Sequence, residues 1–106
     1  MKILFFILTT SLLIPISVLA GVDDDFNKNL GNHPCVHSWE YNKTAFKIYL
    51  NPLKCKDGDT TATLLTIRYI FESNNAKFPK RIEIYNNLGK KLESYPFENI
   101  PSLIIK

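Results

Sequence analysis

Apart from the N-terminal run, apolar side chains are densest in residues 60–72, which read TTATLLTIRYIFE. In a β-strand, successive side chains point to opposite faces of the sheet. One face would then carry Leu65, Ile67, Tyr69 and Phe71. The other face would carry Leu64, Thr66, Arg68 and Ile70. Because both faces hold apolar bulk, the pattern predicts a central strand with one face in the core and the other partly covered. Its length of about 43 Å would exceed that of most strands, so we expect a bend.

Shorter segments with the same alternation lie on both sides of this stretch. The predicted strands are residues 36–41, 44–50, 60–72, 81–85, 90–97 and 103–105. Gly89 suits the positive φ of a hairpin turn, a change of phase predicts a bulge near Ser94, and Pro96 predicts an edge strand. About six short strands are typical of an all-β fold, a small antiparallel β-sandwich or barrel.

One segment has a helical period instead. Val22, Phe26 and Leu30 recur at i, i+4 and i+8, aspartates occupy the first turn, and Gly31 follows the last apolar position. A two-turn helix is too short to be stable alone. We therefore expect either that it lays its apolar stripe on the sheet or that residues 21–34 are a disordered N-terminal segment.

The first twenty residues have the pattern of a secretory signal peptide. Met1-Lys2 precedes an apolar run over residues 3–19, and Val18-Leu19-Ala20 predicts cleavage after Ala20. An uncleaved membrane anchor is the alternative, but Pro15 and the Ser and Thr residues of the run favour cleavage. The sequence thus predicts a secreted or periplasmic protein with no membrane span in the mature chain and one β-rich domain over residues 35–106.

The chain contains two cysteines, Cys35 and Cys55. An even number of cysteines in an exported chain indicates a disulfide, here one that closes a loop of about 21 residues and contributes about 3 kcal/mol. Without Lys2, twelve Lys and Arg residues remain against ten Asp and Glu residues, an excess too small to predict nucleic-acid binding. Residues 42–44 (Asn-Lys-Thr) form a glycosylation sequon, which is relevant in a eukaryotic source.

Two histidines flank the first cysteine in the sequence His-Pro-Cys-Val-His, and imidazole and thiolate are metal ligands. If Cys35 is oxidised, His33 and His37 alone make a weak site, so we predict no metal and no cofactor. Residues 57–59 (Asp-Gly-Asp) have the spacing of the first calcium ligands but lack the later carboxylates. No serine has the context of an activated nucleophile. The alternative to a non-enzymatic protein is a small metal-dependent or hydrolytic enzyme that uses these two histidines.

The outward phase of the predicted strands carries aromatic and basic side chains. These are Lys47, Tyr49, Arg68, Arg81 and Tyr85, followed by Lys90 and Lys91 at a turn. Tyr and Arg are over-represented in recognition surfaces, although sheet faces also favour such residues for packing and solubility. The sequence therefore favours a binding module, such as an inhibitor or effector, that recognises a protein or an anionic glycan or lipid. A structural accessory protein of an envelope assembly is a further alternative.

Overall fold

The computed structural model describes residues 21–104. Residues 21–29 are helical and are called α1. The remaining elements are β1 (Val36–Tyr41), β2 (Ala45–Leu50), α2 (Asp59–Ser73), β3 (Arg81–Asn86) and β4 (Lys91–Pro96), with short 3-10 turns at Pro52–Lys54 and Phe97–Asn99. The predicted signal peptide over residues 1–20 lies outside the described residues.

The prediction of an all-β sandwich or barrel with about six strands is wrong. The described chain forms one four-stranded sheet in the order β1-β2-β3-β4, covered by two helices. The outer pairs are antiparallel, but β2 and β3 are parallel, so the sheet is mixed. Parallel neighbours need a long crossover, and residues 51–80 supply it with α2. Because β2 and β3 are hydrogen-bonded to each other, no strand lies between them, and the crossover passes over the sheet as a helix.

The predicted central strand over residues 60–72 is the helix α2. Its buried side chains are Thr63, Ile67, Ile70 and Phe71, spaced by four, three and one residues as on one helix face. Threonine is a weak helix former, but its hydroxyl can be satisfied inside a helix: Thr63 Oγ1 donates to the carbonyl of Asp59 (2.8 Å) and Thr66 Oγ1 to that of Ala62 (2.8 Å). Apolar residues occur at both odd and even positions of this stretch because the buried face of the helix is broad, and not because a strand is covered on both faces.

Local signals define both ends of α2. Gly58, immediately before the helix, has a φ of 87°, which glycine adopts without strain. At the other end Asn75 has a φ of 56°, while the N–H of Ala76 donates to the carbonyl of Phe71 (2.9 Å) and that of Asn75 to Glu72 (3.0 Å). These two bonds form a Schellman motif, which satisfies the last carbonyls of the helix.

The first helix is ordered on the core. Val22, Phe26 and Leu30 are buried, which bears out the first of the two expected outcomes for this stripe. The N–H of Gly31 donates to the carbonyl of Phe26 (3.3 Å), and a Cβ on Gly31 would lie 2.5 Å from the carbonyl oxygen of Asn27. Gly31 is therefore required because a larger residue would clash with the backbone of Asn27, and not because its φ is positive.

The sheet has one buried face and one open face. On the inner face the side chains of β2 and β3 are buried, as the alternation predicts; they are Phe46, Ile48, Leu50, Ile82 and Ile84. Both helices pack here, since the ring centroids of Phe26 and Phe71 lie 5.1 and 6.1 Å from that of Phe46. The protein is therefore a two-layer α/β structure whose outer face points away from the helices.

The second hairpin matches the sequence prediction in part. Gly89 has a φ of 88° in the turn, and β4 with Pro96 is an edge strand, both as expected. The register shifts between Ile84 and Tyr85, whose partners are Glu93 and Lys91, so Leu92 is the extra residue of β4 and the irregularity lies close to the bulge predicted near Ser94. Residues 103–104, the described part of the predicted last strand, are not in a strand.

Cys35 and Cys55 form the predicted disulfide, with their Cα atoms 4.4 Å apart. The bond joins the residue before β1 to the segment that follows the 3-10 turn after β2, and so holds the start of the crossover against the sheet. No helix in residues 21–104 combines the length and apolarity needed to span a bilayer. The disulfide is compatible with a secreted or periplasmic protein.

Removal of the disulfide should lower the free energy of unfolding by about 3 kcal/mol, because the unfolded chain regains the entropy of a loop of about 21 residues. The test is a denaturant titration of the double variant Cys35→Ala/Cys55→Ala. Wild-type protein treated with a reductant is the matched control and should lose a similar amount. Equal stability of the variant and the oxidised wild type would contradict this prediction.

Candidate functional site

The open face of the sheet carries most of the predicted binding residues. Four of the five, Lys47, Tyr49, Arg81 and Tyr85, project outward from β2 and β3. Their outward neighbours are Glu83 on β3 itself, Glu40 on β1, and Lys91 and Ser94 on β4. We call this surface, defined by these eight residues, the outer face. Every member is exposed or half-buried.

Two stacked tyrosines occupy the middle of the outer face. Tyr49 and Tyr85 are partners in the parallel register of β2 and β3, and their rings stack with centroids 4.9 Å apart and planes inclined by 24°. Each hydroxyl donates to a carboxylate: Tyr49 to Glu40 (3.2 Å) and Tyr85 to Glu83 (2.9 Å). Stacking and hydrogen bonds together restrict both rings to one arrangement.

The charged groups around the tyrosines are also held in place. Lys91 Nζ lies 3.5 Å from Glu83 and 5.9 Å from the centroid of the Tyr85 ring. Arg81 donates from Nε and Nη2 to Ser94 Oγ, at 3.1 and 2.7 Å. These contacts fix the position of a cation, an anion and an aromatic pair on the same surface.

The ionisation of the outer face follows from these contacts. The hydrogen bond from Tyr85, reinforced by Lys91, lowers the pKa of Glu83. In return, Glu83 raises the pKa of Tyr85, while partial burial and the nearby Glu40 raise the pKa of Tyr49. At neutral pH the two phenols are therefore neutral donors beside an ionised Glu83, so neither tyrosine is activated as a nucleophile.

Arg68, the fifth predicted binding residue, lies elsewhere. It belongs to α2 rather than to a strand, and only 16% of its side chain is exposed. Its Nη1 donates to the carbonyls of Glu98 (3.1 Å) and Ile100 (2.5 Å), and its guanidinium lies 5.0 Å from the centroid of the Phe78 ring. The two carbonyl bonds attach the C-terminal segment to α2, and within the helix Arg68 Nε forms an ion pair with Glu72 at 3.4 Å.

The two histidines considered as metal ligands do not converge. Among the described residues, His33, Cys35 and Asp59 are the group whose potential ligand atoms lie within 4.8 Å of one another. Cys35 is oxidised, and Nδ1 of His33 accepts the N–H of Cys35 (3.1 Å), so this group offers Nε2 of His33 and the carboxylate of Asp59, 4.0 Å apart. His37 is an exposed residue of β1 and is not in the group.

The comparisons with known proteins give no assignment. No protein-family model matches the chain, and no curated protein or solved structure matches it significantly. The residues and their geometry are thus the basis for any statement about function.

Sequence reasoning missed a second feature, an apolar cleft of about 340 Å³. It opens between the β1–β2 turn and the loop that follows α2. Its lining residues are Val22, Tyr41, Asn42, Lys43, Phe71, Ala76, Lys77 and Phe78. They come from three segments that are distant in the sequence, near residues 22, 41–43 and 71–78, which explains why no local pattern predicts the cleft. The one available signal is Phe78, a single apolar residue in an otherwise polar loop.

Both walls of the cleft are held by hydrogen bonds. In the β1–β2 turn, the Oδ1 atom of Asn42 accepts the N–H groups of Thr44 (2.8 Å) and Ala45 (3.0 Å). The opposite loop begins at the Schellman motif of α2 and is joined to the turn by a bond from the N–H of Lys80 to the carbonyl of Lys43 (3.3 Å). The cleft is therefore a preformed feature of the fold.

At the edge of the cleft, the hydroxyl of Tyr41 donates to Asp23 Oδ1 (2.5 Å). Burial, reinforced by this bond and by the charge of Asp23, raises the pKa of Tyr41. The phenol is thus a neutral group at neutral pH, and its bond connects the end of β1 to α1.

Proposed function

We propose that this chain is a secreted or periplasmic binding module that recognises a protein partner through the outer face of its sheet. The observation that carries the proposal is the stacked pair Tyr49–Tyr85 in the middle of an open face, surrounded by ordered charges of both signs. Large aromatic side chains and arginine dominate the binding energy of protein interfaces, since they offer area and several donors at a modest entropic cost.

The rigidity of the outer face supports this proposal. The tyrosine rings are stacked, their hydroxyls are bonded to Glu40 and Glu83, and Arg81 is bonded to Ser94. A partner would therefore lose little side-chain freedom of this protein on binding, which leaves more of the contact energy as affinity. The mixed charges favour a protein over a uniformly anionic glycan, because Glu40 and Glu83 would repel the latter.

The enzymatic alternative has less support. It requires His33 and His37 to act together, whereas His37 lies outside the ligand group of His33. The possibility of an accessory protein in an envelope assembly differs from our proposal only in the permanence of the complex, and the same surface would serve it.

The test is affinity capture of proteins from the native compartment on immobilised wild-type protein and on the double variant Tyr49→Ala/Tyr85→Ala. We expect one partner to be retained by the wild type and to bind the variant at least about tenfold more weakly, because the variant loses both central aromatic side chains. The matched control is Tyr69→Ala, which removes a 45% exposed tyrosine from α2.

Circular dichroism should confirm that the double variant is folded before its binding is compared. A partner that binds wild type, the double variant and Tyr69→Ala equally would contradict the proposal. So would retention of an anionic glycan in place of any protein by the wild type.

A further inference from the structure

The apolar cleft lies in the helical layer, away from the outer face, and its lining suits a different kind of ligand. The interior is formed by side chains of α1, α2 and the following loop, mainly Val22, Phe71, Ala76 and Phe78. Small-molecule sites are typically preformed clefts of about 300–1,000 Å³ with apolar linings and few polar groups. At about 340 Å³ this cleft is at the lower end of that range and has room for one unbranched alkyl chain of medium length.

The polar groups of the cleft are at its rim and are mostly basic. Lys43 and Lys77 are exposed residues on opposite walls, one on the β1–β2 turn and one on the loop after α2. The residues that line the cleft include these two lysines and no aspartate or glutamate. The rim is therefore complementary to an anion.

We propose that this cleft binds a free medium-chain carboxylic acid, with the alkyl chain against Phe71 and Phe78 and the carboxylate between Lys43 and Lys77. The apolar lining accounts for the chain, because burial of each methylene group is favourable and needs no directional contact. The two ammonium groups account for the acid, since each can donate to a carboxylate oxygen at the solvent-exposed end of the cleft.

A free acid fits better than a phospholipid or a peptide. The volume accommodates a single short chain, whereas a phospholipid carries two long chains. A peptide segment would bring backbone N–H and C=O groups into a lining whose polar atoms are confined to the rim, where they would lack partners.

The experiment compares decanoate with decanol by titration into the isotope-labelled protein at low ionic strength, followed by NMR. Both compounds should shift the amide signals of Ala76, Lys77 and Phe78. Decanoate should bind about fivefold more tightly than decanol, because only the acid carries a negative charge that attracts the two lysines. Added salt should reduce this preference.

The double variant Lys43→Gln/Lys77→Gln should bind both compounds with the affinity that wild type has for decanol. Its two positions are exposed, so the fold should be unaffected. The matched control, Lys54→Gln/Lys56→Gln, removes two exposed lysines outside the cleft and should retain the preference for the acid. A third variant, Ala76→Leu, should weaken the binding of both compounds, because the larger side chain fills part of the cleft.

Equal binding of acid and alcohol by the wild type would overturn the assignment of the lysines. Shifts confined to other parts of the protein, or no binding below the concentration at which decanoate forms micelles, would overturn the site. The double variant Tyr49→Ala/Tyr85→Ala should bind decanoate normally, so failure of the protein-binding proposal and failure of this one are distinguishable.

Discussion

Replacement of Phe26 by alanine should lower the free energy of unfolding by about 3–5 kcal/mol, the range for deletion of a buried aromatic ring. Phe26 is fully buried and lies at the point where α1, α2 and the sheet meet. Its ring centroid is 5.1 Å from that of Phe46, 5.5 Å from that of Phe71 and 5.6 Å from that of Tyr41. The substitution would leave a cavity bounded by three rings that are themselves held by backbone elements.

Denaturant titration of Phe26→Ala and of Lys28→Ala measures this effect. Lys28 is on the same helix, with 70% of its side chain exposed and a surface ion pair to Asp24, so its substitution should cost at most about 1 kcal/mol. A loss of about 1 kcal/mol or less for Phe26→Ala would mean that α1 does not contribute to the folded core in solution. In that case the alternative of a disordered N-terminal segment would apply.

Several parts of the fold are predictable because their sequence signals are local. Alternation identifies β1, β2 and β3, and the positive φ that glycine tolerates identifies the turn at Gly89. The disulfide follows from the even number of cysteines together with the predicted signal peptide. The stripe Val22, Phe26 and Leu30 indicates a helix, although the sequence does not decide whether the helix packs.

The main error has a physical origin in α2. Its threonines and isoleucines favour strands by propensity. Its apolar residues are also so numerous that their spacing fits both the two-residue period of a strand and the 3.6-residue period of a helix. The sequence signals for a helix were the residue types at its two ends. Glycine before the helix and asparagine after it are residues that tolerate a positive φ, and Gly58 and Asn75 both adopt one. The predicted strand length of about 43 Å was a further indication, since few strands in small domains are that long.

The candidate site, like the fold, was predictable only in part. The alternation of β2 and β3 correctly places Tyr49 and Tyr85 on one outward face, but only the parallel register brings their rings into contact. Arg68 was predicted to lie on the outward face of the sheet because residues 60–72 were interpreted as a strand and not as a helix. The cleft is lined by residues that are distant in the sequence, such as Val22 and Phe78, and no local pattern indicates that they come together.

Four single substitutions in α2 should separate the helix from the strand by their pattern of stability losses. Ile67 and Ile70 are 0% and 2% exposed, so Ile67→Ala and Ile70→Ala should each lower the free energy of unfolding by about 2–5 kcal/mol. Tyr69→Ala should cost less, because that side chain is 45% exposed. Thr66→Ala should cost about 1 kcal/mol or less, because the lost hydroxyl bond to Ala62 is offset by the higher helix propensity of alanine.

A strand would give a different grouping. Ile67 and Tyr69 would share the core face, and Ile70 would lie with Thr66 on the partly covered one. Denaturant titrations of the four variants therefore decide between a helix and a strand: large losses at Ile67 and Ile70 with a smaller loss at Tyr69 place residues three apart on the buried face and the residue two apart outside it, as in a helix. A loss at Tyr69 equal to that at Ile67, with a smaller loss at Ile70, would contradict the helix. Because Ile67 and Ile70 pack against the same core, the cost of the double variant should differ from the sum of the single costs.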